Sequence, residues 1–369
     1  MDQVNISKLG FGLMRLPRKG LFVDHEQVCS MVDKYLAAGG NYFDTAFIYP
    51  GSEAAIRQAL VDRVPRDKYV LATKLNAALP PLQTAQAAKR QLDTSLERTN
   101  AGYFDYYLLH AIMDGNVSKY DRMKLWEYVQ EQKAAGRIRH CGFSFHAGPE
   151  TLDRLLREHP ETEFVQLQIN YADWESGNVQ ARANYEVARS YGKPIVIMEP
   201  VKGGKLANPP ENVRSLFASV HPEWSCASWA LRFAMGLDGV LTVLSGMSST
   251  EQVEDNLKTM RTLGEMGDTE KKTLRQAQVL MGRSNAIPCT ACKYCMEGCP
   301  KQLNIPGIME AINLKTANGQ AEDAKAQYAA VTVDGHTAGS CITCRKCESA
   351  CPQHLPISDA MKKASELFD

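Results

Sequence analysis

Two cysteine runs near the C-terminus constrain this chain more than any other feature. They contain eight of its 11 cysteines, and each run has the form C-x2-C-x2-C-x3-C-P, at residues 289–300 and 341–352. Disulfide frameworks are typical of small secreted domains rather than of a chain of 369 residues. The clustered thiols therefore indicate metal ligands.

The spacing within the runs predicts two [4Fe–4S] clusters. Three closely spaced cysteines can hold three corners of a cubane, and the fourth, followed by proline, points towards the other cluster. The predicted ligand sets are Cys289, Cys292, Cys295 and Cys351 for one cluster, and Cys341, Cys344, Cys347 and Cys299 for the other. Structural zinc is the alternative, because zinc also takes four thiolates. Zinc ligands more often form CxxC pairs that are separated by a longer gap.

Residues 285–360 resemble the two-cluster ferredoxins. The 41 residues between Cys299 and Cys341 have a helical pattern, which resembles the α-helical ferredoxin type more than the small β-hairpin type. We expect helical structure over Gly264–Ser284 before the first run and over Ile308–Tyr328 between the runs.

The first 260 residues alternate short apolar runs with amphipathic stretches, which is the pattern of a parallel β/α fold. The candidate strands are Lys8–Leu16, Asn41–Ala46, Tyr69–Lys74, Tyr103–His110, His140–Phe145, Phe164–Asn170, Pro194–Met198 and Val240–Ser245. Their number and the length of the segment match a (β/α)8 barrel. A doubly wound sheet would need a glycine-rich phosphate turn, and Gly10-Phe11-Gly12 lacks the third glycine.

The chain is therefore expected to be an α/β protein with two domains. Residues 1–264 would form the (β/α)8 TIM barrel, and residues 265–369 a small, mostly helical, two-cluster ferredoxin-like domain. Lys+Arg and Asp+Glu number 42 each, so no overall field attracts nucleic acid or an anionic membrane. No apolar run approaches the roughly 20 residues of a membrane span, and the N-terminus lacks a signal-peptide pattern. We expect a cytoplasmic protein with small-molecule or protein partners.

Four polar residues lie at the ends of three neighbouring predicted strands. Asp44 lies near the end of the second strand and Tyr49 shortly after it, Lys74 ends the third and His110 ends the fourth. In a (β/α)8 barrel the C-terminal strand ends converge on the active site, so this set would meet there. Singly, each has an ordinary structural explanation, such as a solvated or hydrogen-bonded strand end. Together, their order predicts an acid–base site.

Several motifs extend this set. They are Phe43-Asp44-Thr45-Ala46-x-x-Tyr49, Thr73-Lys74, Leu109-His110, Gly142-Phe143-Ser144, Gln168-x-Asn170, Ser245-Gly246-x-Ser248…Asn256 and Met198-Glu199-Pro200-x-Lys202-Gly203-Gly204. Over residues 5–260 the chain resembles the aldo-keto reductase superfamily, and the last motif resembles a loop of its ferredoxin-fused members. The resemblance implies an enzyme that interconverts a carbonyl and an alcohol with a nicotinamide cofactor.

The resemblance also implies catalytic roles. Tyr49 would protonate the carbonyl oxygen as hydride reaches the carbon. A free phenol has a pKa of about 10, which Lys74, held by Asp44, would lower. His110 would donate a hydrogen bond to the carbonyl oxygen and orient the substrate.

The cofactor-binding residues implied by the resemblance are Ser144, Gln168, Asn170, Glu199, Ser245, Gly246, Ser248, Gln252 and Asn256. Two departures from the family pattern bear on this set. Phe145 follows Ser144 where many members have asparagine, which removes one amide contact. After the eighth strand no Lys or Arg is available for a 2′-phosphate, although a backbone and hydroxyl nest can bind phosphate. NADP and NAD both stay open, with NADP slightly favoured.

Hydride transfer moves two electrons and each cluster moves one, so the two halves do not couple without an intermediary. One function is a nicotinamide carbonyl reductase whose clusters are structural or exchange electrons with a redox protein partner. In a second, the clusters feed electrons to the barrel through a flavin or a substrate radical. The third is an electron carrier on a decayed barrel, against which the intact set of four polar residues weighs. We favour the first.

Overall fold

The computed structural model describes residues 5–79, 82–282, 286–316 and 319–369. It divides into two compact units. The first comprises Met1–Lys202 with Leu206–Arg275, and the second comprises Gly203–Lys205 with Gln276–Asp369. Within the described ranges, no helix is long and apolar enough to cross a membrane.

Eight parallel strands close into a barrel in the first unit, which confirms the predicted fold class. They are β1 (Leu9–Gly12), β2 (Tyr42–Asp44), β3 (Val70–Leu75), β4 (Phe104–Ile112), β5 (Ile138–Phe145), β6 (Phe164–Gln168), β7 (Ile195–Met198) and β8 (Val240–Ser245). Each strand pairs in parallel with its sequence neighbours, and β1 also pairs with β8 to close the barrel.

Helices follow the strands in the chain. In order they are α1 (His25–Ala37), α2 (Ser52–Ile56), α3 (Ala85–Thr99), α4 (Val117–Arg122), α5 (Leu125–Ala134), α6 (Pro149–Glu158), α7 (Ala181–Ser190), α8 (Glu211–Val220), α9 (Cys226–Met235), α10 (Thr250–Arg261), α11 (Asp268–Gly282), α12 (Tyr294–Glu297), α13 (Ile305–Thr316), α14 (Ala321–Val331), α15 (Lys346–Ser349) and α16 (Ile357–Phe368).

The third helix shows how local sequence sets these elements. The hydroxyl of Thr84 accepts a hydrogen bond from the backbone N–H of Ala87 and caps the first turn of α3. Ala88 and Leu92 are buried on one face of the helix. The helix stops where Asn100 takes the left-handed conformation, which asparagine tolerates better than most residues.

All eight predicted strands are present, but the first is shorter than predicted. It ends at Gly12 because Leu13–Arg15 turn into a 3₁₀ helix. A two-stranded hairpin, Arg18–Lys19 with Phe22–Val23, follows. No pattern in the sequence predicts this hairpin, because strands of two residues are too short to show the alternation of apolar and polar side chains.

The barrel interior begins with an apolar layer. Its buried residues are Tyr42, Val70, Ala72, Leu108, Phe164, Val196 and Leu244. Because side chains along a strand alternate between faces, the residue two positions after each of these points to the same side. On β2, β3 and β4 those residues are Asp44, Lys74 and His110. The apolar layer is therefore a floor beneath the polar residues at the C-terminal strand ends.

The second unit is mostly helical, as predicted. The described residues of the predicted helical stretch Ile308–Tyr328 include parts of two helices, α13 and α14, and residues 317–318 lie outside the described ranges. Of the predicted helical stretch Gly264–Ser284, α11 covers Asp268–Gly282 and its first residues belong to the first unit, while residues 283–284 lie outside the described ranges. The apolar core of this unit includes Leu303, Ile305, Ile308, Met309, Ile312, Leu355, Ile357 and Met361.

Candidate functional site

Three polar side chains are buried together at the C-terminal ends of neighbouring strands. The exposed fractions of Asp44, Lys74 and His110 are 3%, 1% and 3%. Their strands pair directly, β2 with β3 and β3 with β4. The structure thus brings these residues together as the sequence predicted.

Lys74 and Asp44 form a buried ion pair. The Lys74 ammonium donates to the Asp44 carboxylate and to the carbonyl oxygen of Thr45, the latter at 2.7 Å. Burial lowers the pKa of Lys74, and the charge of Asp44 opposes this shift. Burial likewise raises the pKa of Asp44, and Lys74 opposes that shift. Gln166, on the far side of the barrel, donates to the second Asp44 oxygen at 3.2 Å.

Tyr49 lies over this pair at the edge of the site. The Lys74 ammonium is 5.0 Å from the centre of the Tyr49 ring. The His110 ring centre is 5.7 Å from the Tyr49 ring centre, with the rings at 79° to each other. Tyr49 is partly exposed, whereas the residues beneath it are buried. The ring therefore lies between solvent and the buried charges.

A β-bulge in β4 positions His110. The β4–β5 register shifts between Leu109 and Ile112, so an extra residue enters β4 there, and Ala111 has a φ of 56°. Such bulges re-aim side chains next to active sites. The hydroxyl of Ser144 accepts a hydrogen bond from the backbone N–H of Ala111 at 2.7 Å, which supports the bulge.

The electrostatics at His110 keep its ring neutral. Burial lowers the pKa of His110 well below its ordinary value, and the charge of Lys74 adds to this, with a smaller effect of His146. A neutral imidazole carries one N–H, so it can still donate one hydrogen bond. Tyr120 donates to the carbonyl oxygen of His110 and fixes the backbone there.

Among the predicted cofactor-binding residues, Gln168 and Asn170 join a buried network around Asp173. Asn170 donates to an Asp173 oxygen at 2.8 Å and to the carbonyl of Glu199 at 3.2 Å. Gln168 donates to the same Asp173 oxygen at 3.2 Å, and Lys202 donates to the other one. Asp173 and Lys202 are 4% and 7% exposed. This second buried ion pair was not predicted, and it ties the segment after β6 to the segment after β7.

Five further predicted cofactor residues lie at the end of β8 and on the following helix α10, namely Ser245, Gly246, Ser248, Gln252 and Asn256. The Asn256 amide donates to the Ser245 hydroxyl at 2.7 Å. The Ser248 hydroxyl donates to the carbonyl of Arg15 at 2.6 Å, and its backbone N–H donates to the Gln252 side chain at 2.7 Å. These contacts give the β8 loop a defined shape beside the start of the chain.

Each predicted cysteine ligand set lines its own cavity. One cavity, of about 310 Å³ including open solvent, is lined by Cys289, Cys292, Cys295 and Cys351. The other, of about 360 Å³ on the same measure, is lined by Cys341, Cys344, Cys347 and Cys299. In both cavities the fourth cysteine comes from the opposite run. Ile305 lines both cavities, so the two are neighbours.

The two cysteine runs adopt the same backbone. Left-handed residues recur at matching positions, namely Ala291 and Thr343, Lys293 and Arg345, and Gln302 and His354. Non-glycine residues rarely adopt this conformation, which costs about 1–3 kcal/mol each and persists only where the surroundings require it. The short helices α12 and α15 also occupy matching positions. The sequence duplication is thus a structural duplication.

The cysteines differ in burial. Cys295 and Cys351 are buried, whereas Cys344 is exposed. Burial raises the pKa of Cys295, as do the neighbouring thiols, Cys351 among them. Within the described ranges, no group of three or more His, Cys, Asp or Glu side chains is close enough to hold a single metal ion.

The barrel and the polar set at its C-terminal end define an oxidoreductase of the (β/α)8 class. Residues 8–267 match the aldo/keto reductase family, and residues 288–355 match the 4Fe-4S dicluster domain. The chain belongs to the aldo/keto reductase family and carries a C-terminal 4Fe-4S domain.

Curated relatives agree with this assignment. The chain is 24% identical over 300 residues to an L-galactose dehydrogenase from Arabidopsis thaliana, covering 75% of this chain and 91% of that protein. It is 30% identical over 229 residues to an aldo-keto reductase from Mycolicibacterium smegmatis, covering 61% and 74%.

Solved structures show the same fold. An aldo-keto reductase from Bacillus halodurans in its holo form is similar with a TM-score of 0.59 and 24% identity, over 74% of this chain and 92% of that one. An aldo/keto reductase from Klebsiella pneumoniae, in complex with NADP and acetate, is similar with a TM-score of 0.60 and 20% identity, over 75% and 92%.

Proposed function

We propose that the barrel interconverts a carbonyl and an alcohol, with a nicotinamide cofactor as the hydride donor or acceptor. The observation that carries the proposal is the placement of the Tyr49 ring over the Lys74 ammonium and beside His110. An oxidoreductase of this kind needs a proton donor at the carbonyl oxygen, and a phenol beside a fixed cation can supply it.

Each residue of the site has its own role in the proposed reaction. The Tyr49 hydroxyl donates its proton to the carbonyl oxygen during reduction and takes it back during alcohol oxidation. The Lys74 charge stabilises the phenolate that results. Asp44 holds the Lys74 ammonium in place. His110, kept neutral by burial, donates to the same carbonyl oxygen and orients it.

We propose NADP rather than NAD as the cofactor, held at the end of β8. A Cβ placed on Gly246 would lie 3.4 Å from the Arg15 side chain, so this arginine packs against the β8 loop. The loop after β8, residues 246–249, contains no Lys or Arg of its own. Arg15 therefore supplies the positive charge that a 2′-phosphate would need there. The Klebsiella structure, which contains NADP, supports the choice. Ser144, which accepts one hydrogen bond, can still donate its own hydrogen to a carboxamide.

We propose two [4Fe–4S] clusters with crossed ligation. The support is the pair of cavities, each of which is lined by three cysteines of one run and the fourth of the other. Four thiolates around a cavity fit a cubane, which supplies one-electron transfer when bound.

We further propose that these clusters exchange electrons with an acidic redox protein at the surface around Cys344. Residues 342–346 are all exposed, and Ile342 is 54% exposed. Lys301 and Arg345 line the same cavity as Cys344, and Lys346 follows. The neighbouring cavity holds the buried Cys295 and Cys351. An exposed ligand shortens the distance between a cluster and an electron donor at the surface, which a purely structural cluster does not need.

An anaerobic turnover assay tests the barrel activity. Full-length, cluster-loaded protein is incubated with NADPH or NADH and a panel of aldehydes and ketones, and alcohol products are identified by mass spectrometry. The proposal expects alcohol formation with NADPH. No alcohol from any carbonyl with either cofactor would contradict it.

A stopped-flow experiment tests the electron port. The protein is mixed with a reduced acidic ferredoxin, and bleaching of cluster absorbance is followed. Arg345→Glu with Lys346→Glu should slow bleaching at least about tenfold at low salt, since attraction between charges speeds association. Lys271→Glu with Lys272→Glu, at two exposed neighbouring positions on α11, makes the same change in net charge and is the matched control, which should not slow bleaching. Reduction by dithionite should stay unchanged in all variants. Equal ferredoxin rates in all variants would remove the proposed port.

A further inference from the structure

Glu53 is a buried negative charge that the proposed function does not use. It lies in the first turn of α2, four residues after Tyr49, and is 2% exposed. A carboxylate is rarely buried to this extent unless it is paired. Its partners therefore indicate what it does.

Glu53 is held from two sides. The Thr73 hydroxyl donates to one carboxylate oxygen at 2.9 Å, and the Arg98 guanidinium donates to the other at 3.1 Å. Thr73 precedes Lys74 on β3, and adjacent strand residues point to opposite faces. Glu53 thus binds the outer face of β3 at the level where Lys74 points into the barrel.

Arg98 bridges both sides of Tyr49 in the sequence. The same guanidinium nitrogen that contacts Glu53 also donates to the carbonyl of Phe47 at 3.1 Å. The guanidinium carbon lies 4.5 Å from the centre of the Phe47 ring. One side chain of α3 therefore ties the residue two before Tyr49 to the residue four after it.

Further contacts hold the segment between β2 and α2, residues 45–51, which we call the Tyr49 loop. The Thr45 and Ser52 hydroxyls are 2.7 Å apart, and Ser52 donates to the carbonyl of Leu13 at 3.0 Å. The backbone N–H of Phe47 donates to the carbonyl of Lys74 at 3.2 Å. These contacts fix the two ends of the loop. The Glu53–Arg98 pair instead connects the residues before Tyr49 to those after it.

Glu53 also acts electrostatically on Lys74. Burial lowers the pKa of Lys74, and the negative charge of Glu53 opposes that shift together with the larger effect of Asp44. The charged and titratable groups that face Lys74 are Asp44, Glu53, His110 and Tyr49, and those that face Glu53 are Lys74, Arg98 and Tyr107. Arg98 is 43% exposed, so it offsets the charge of Glu53 only in part.

We propose that Glu53 is a positioning residue of the reaction, which with Arg98 clamps the Tyr49 loop and places a second negative charge behind Lys74. The inference rests on the proposed roles of Tyr49 and Lys74. The clamp fixes where the phenol sits, and the charge balance between Glu53 and Arg98 sets the pH at which the Tyr49–Lys74 pair gives up a proton.

Opposite charge changes test the proposal in the full-length, cluster-loaded protein. The ionisation of Tyr49 is measured as absorbance near 295 nm, each variant being compared with the same variant carrying Tyr49→Phe. Glu53→Gln removes a negative charge and should lower the ionisation midpoint by roughly half a pH unit or more. Arg98→Met leaves Glu53 without its cation and should raise the midpoint. The basic limb of kcat for aldehyde reduction should move in the same directions.

Arg98→Lys separates position from charge. It keeps the charge but not the bridging geometry, so the Tyr49 midpoint should stay while kcat falls at least about fivefold and the Kd for NADPH is unchanged. Glu158→Gln, in an exposed ion pair on α6, is the control and should change none of these quantities. If Glu53→Gln does not fold, the two Arg98 variants still decide the matter.

The outcomes separate the clamp from the proposed function. Midpoints that do not move, or that move in the same direction in Glu53→Gln and Arg98→Met, would overturn the clamp even if Tyr49→Phe is inactive. Full activity of Tyr49→Phe would overturn the proposed function even if the midpoints move apart.

Discussion

The Lys74 ammonium lies 5.0 Å from the centre of the Tyr49 ring. Lys74 is 1% exposed and bound to Asp44, so its charge has little freedom to move away. A fixed cation beside a phenol favours the phenolate that proton donation leaves behind. The proposed role of Tyr49 as the proton donor depends on this arrangement.

Tyr49→Phe should therefore retain NADPH binding and lose at least about 10²-fold in carbonyl reduction, because only the proton donor is removed. Steady-state kinetics together with fluorescence titration of NADPH measure the two effects. Lys74→Met should cause a similar loss, since the phenol would be a weaker acid without the cation. Activity of Tyr49→Phe within about threefold of the parent would exclude Tyr49 as the acid.

The pH dependence of stability tests the neutral state of His110. Its pKa lies well below 6.5 in the folded protein, so unfolding takes up a proton below about pH 6.5. The free energy of unfolding should thus fall with decreasing pH in this range, by up to about 1.4 kcal/mol per pH unit for this group. His110→Gln should show a smaller fall between pH 7.5 and 5.5.

Tryptophan fluorescence in urea is a suitable measure of this effect, because all four tryptophans lie in the first unit. His25→Gln, at an exposed position at the start of α1, is the control and should keep the parental dependence. A parental dependence in His110→Gln as well would mean that folding does not lower the pKa of His110.

The buried pair Asp173–Lys202 should be important for the stability of the barrel. Asp173→Asn leaves the Lys202 charge buried without its counterion, which should cost about 3 kcal/mol or more. The loss should be partly reversed in Asp173→Asn with Lys202→Met, where neither charge is left. Urea unfolding followed by tryptophan fluorescence measures each step, with Arg154→Gln as an exposed-pair control. Additive losses in the double variant would show that the two residues do not act as a pair.

The crossed ligation can be tested by counting iron. The parent should contain about eight irons per chain and absorb broadly near 400 nm. Cys299→Ser combined with Cys344→Ser affects one cavity and should leave about four irons. Cys299→Ser combined with Cys292→Ser affects both and should leave almost none. The reverse pattern would show that each run holds its own cluster, and two zincs without iron would exclude the clusters altogether.

Much of the fold and of the catalytic set could be predicted because the signals are periodic or duplicated. The eight strands carry apolar runs that only a parallel sheet buries, and their ends must converge. Asp44, Lys74 and His110 therefore had to meet once the barrel was assigned. The two cysteine runs have the same spacing, and the structure repeats it down to the left-handed residues Ala291 and Thr343.

The rest depended on long-range packing that a single sequence does not reveal. Glu53 looks like an ordinary acidic residue in the first turn of a helix, a position where such residues are usually solvated. Asp173 and Lys202 are 29 residues apart and belong to irregular segments. The hydrogen bond by which Ser144 supports the β4 bulge could be predicted only if the β4–β5 register were already known.

The central claim is that the barrel reduces a carbonyl by direct hydride transfer from a nicotinamide cofactor. The most direct test of this claim is a deuterium-transfer measurement. The anaerobic, cluster-loaded protein is supplied with an aldehyde that it reduces and with NADPH that carries deuterium at C4, in separate reactions for the two C4 faces. Direct hydride transfer predicts that one of the two labelled cofactors gives alcohol with one deuterium on the carbinol carbon, and that Tyr49→Phe suppresses this product. An unlabelled alcohol from both cofactors, with its new C–H hydrogen taken from solvent, would contradict the account. The barrel would then receive its electrons through a flavin or a substrate radical.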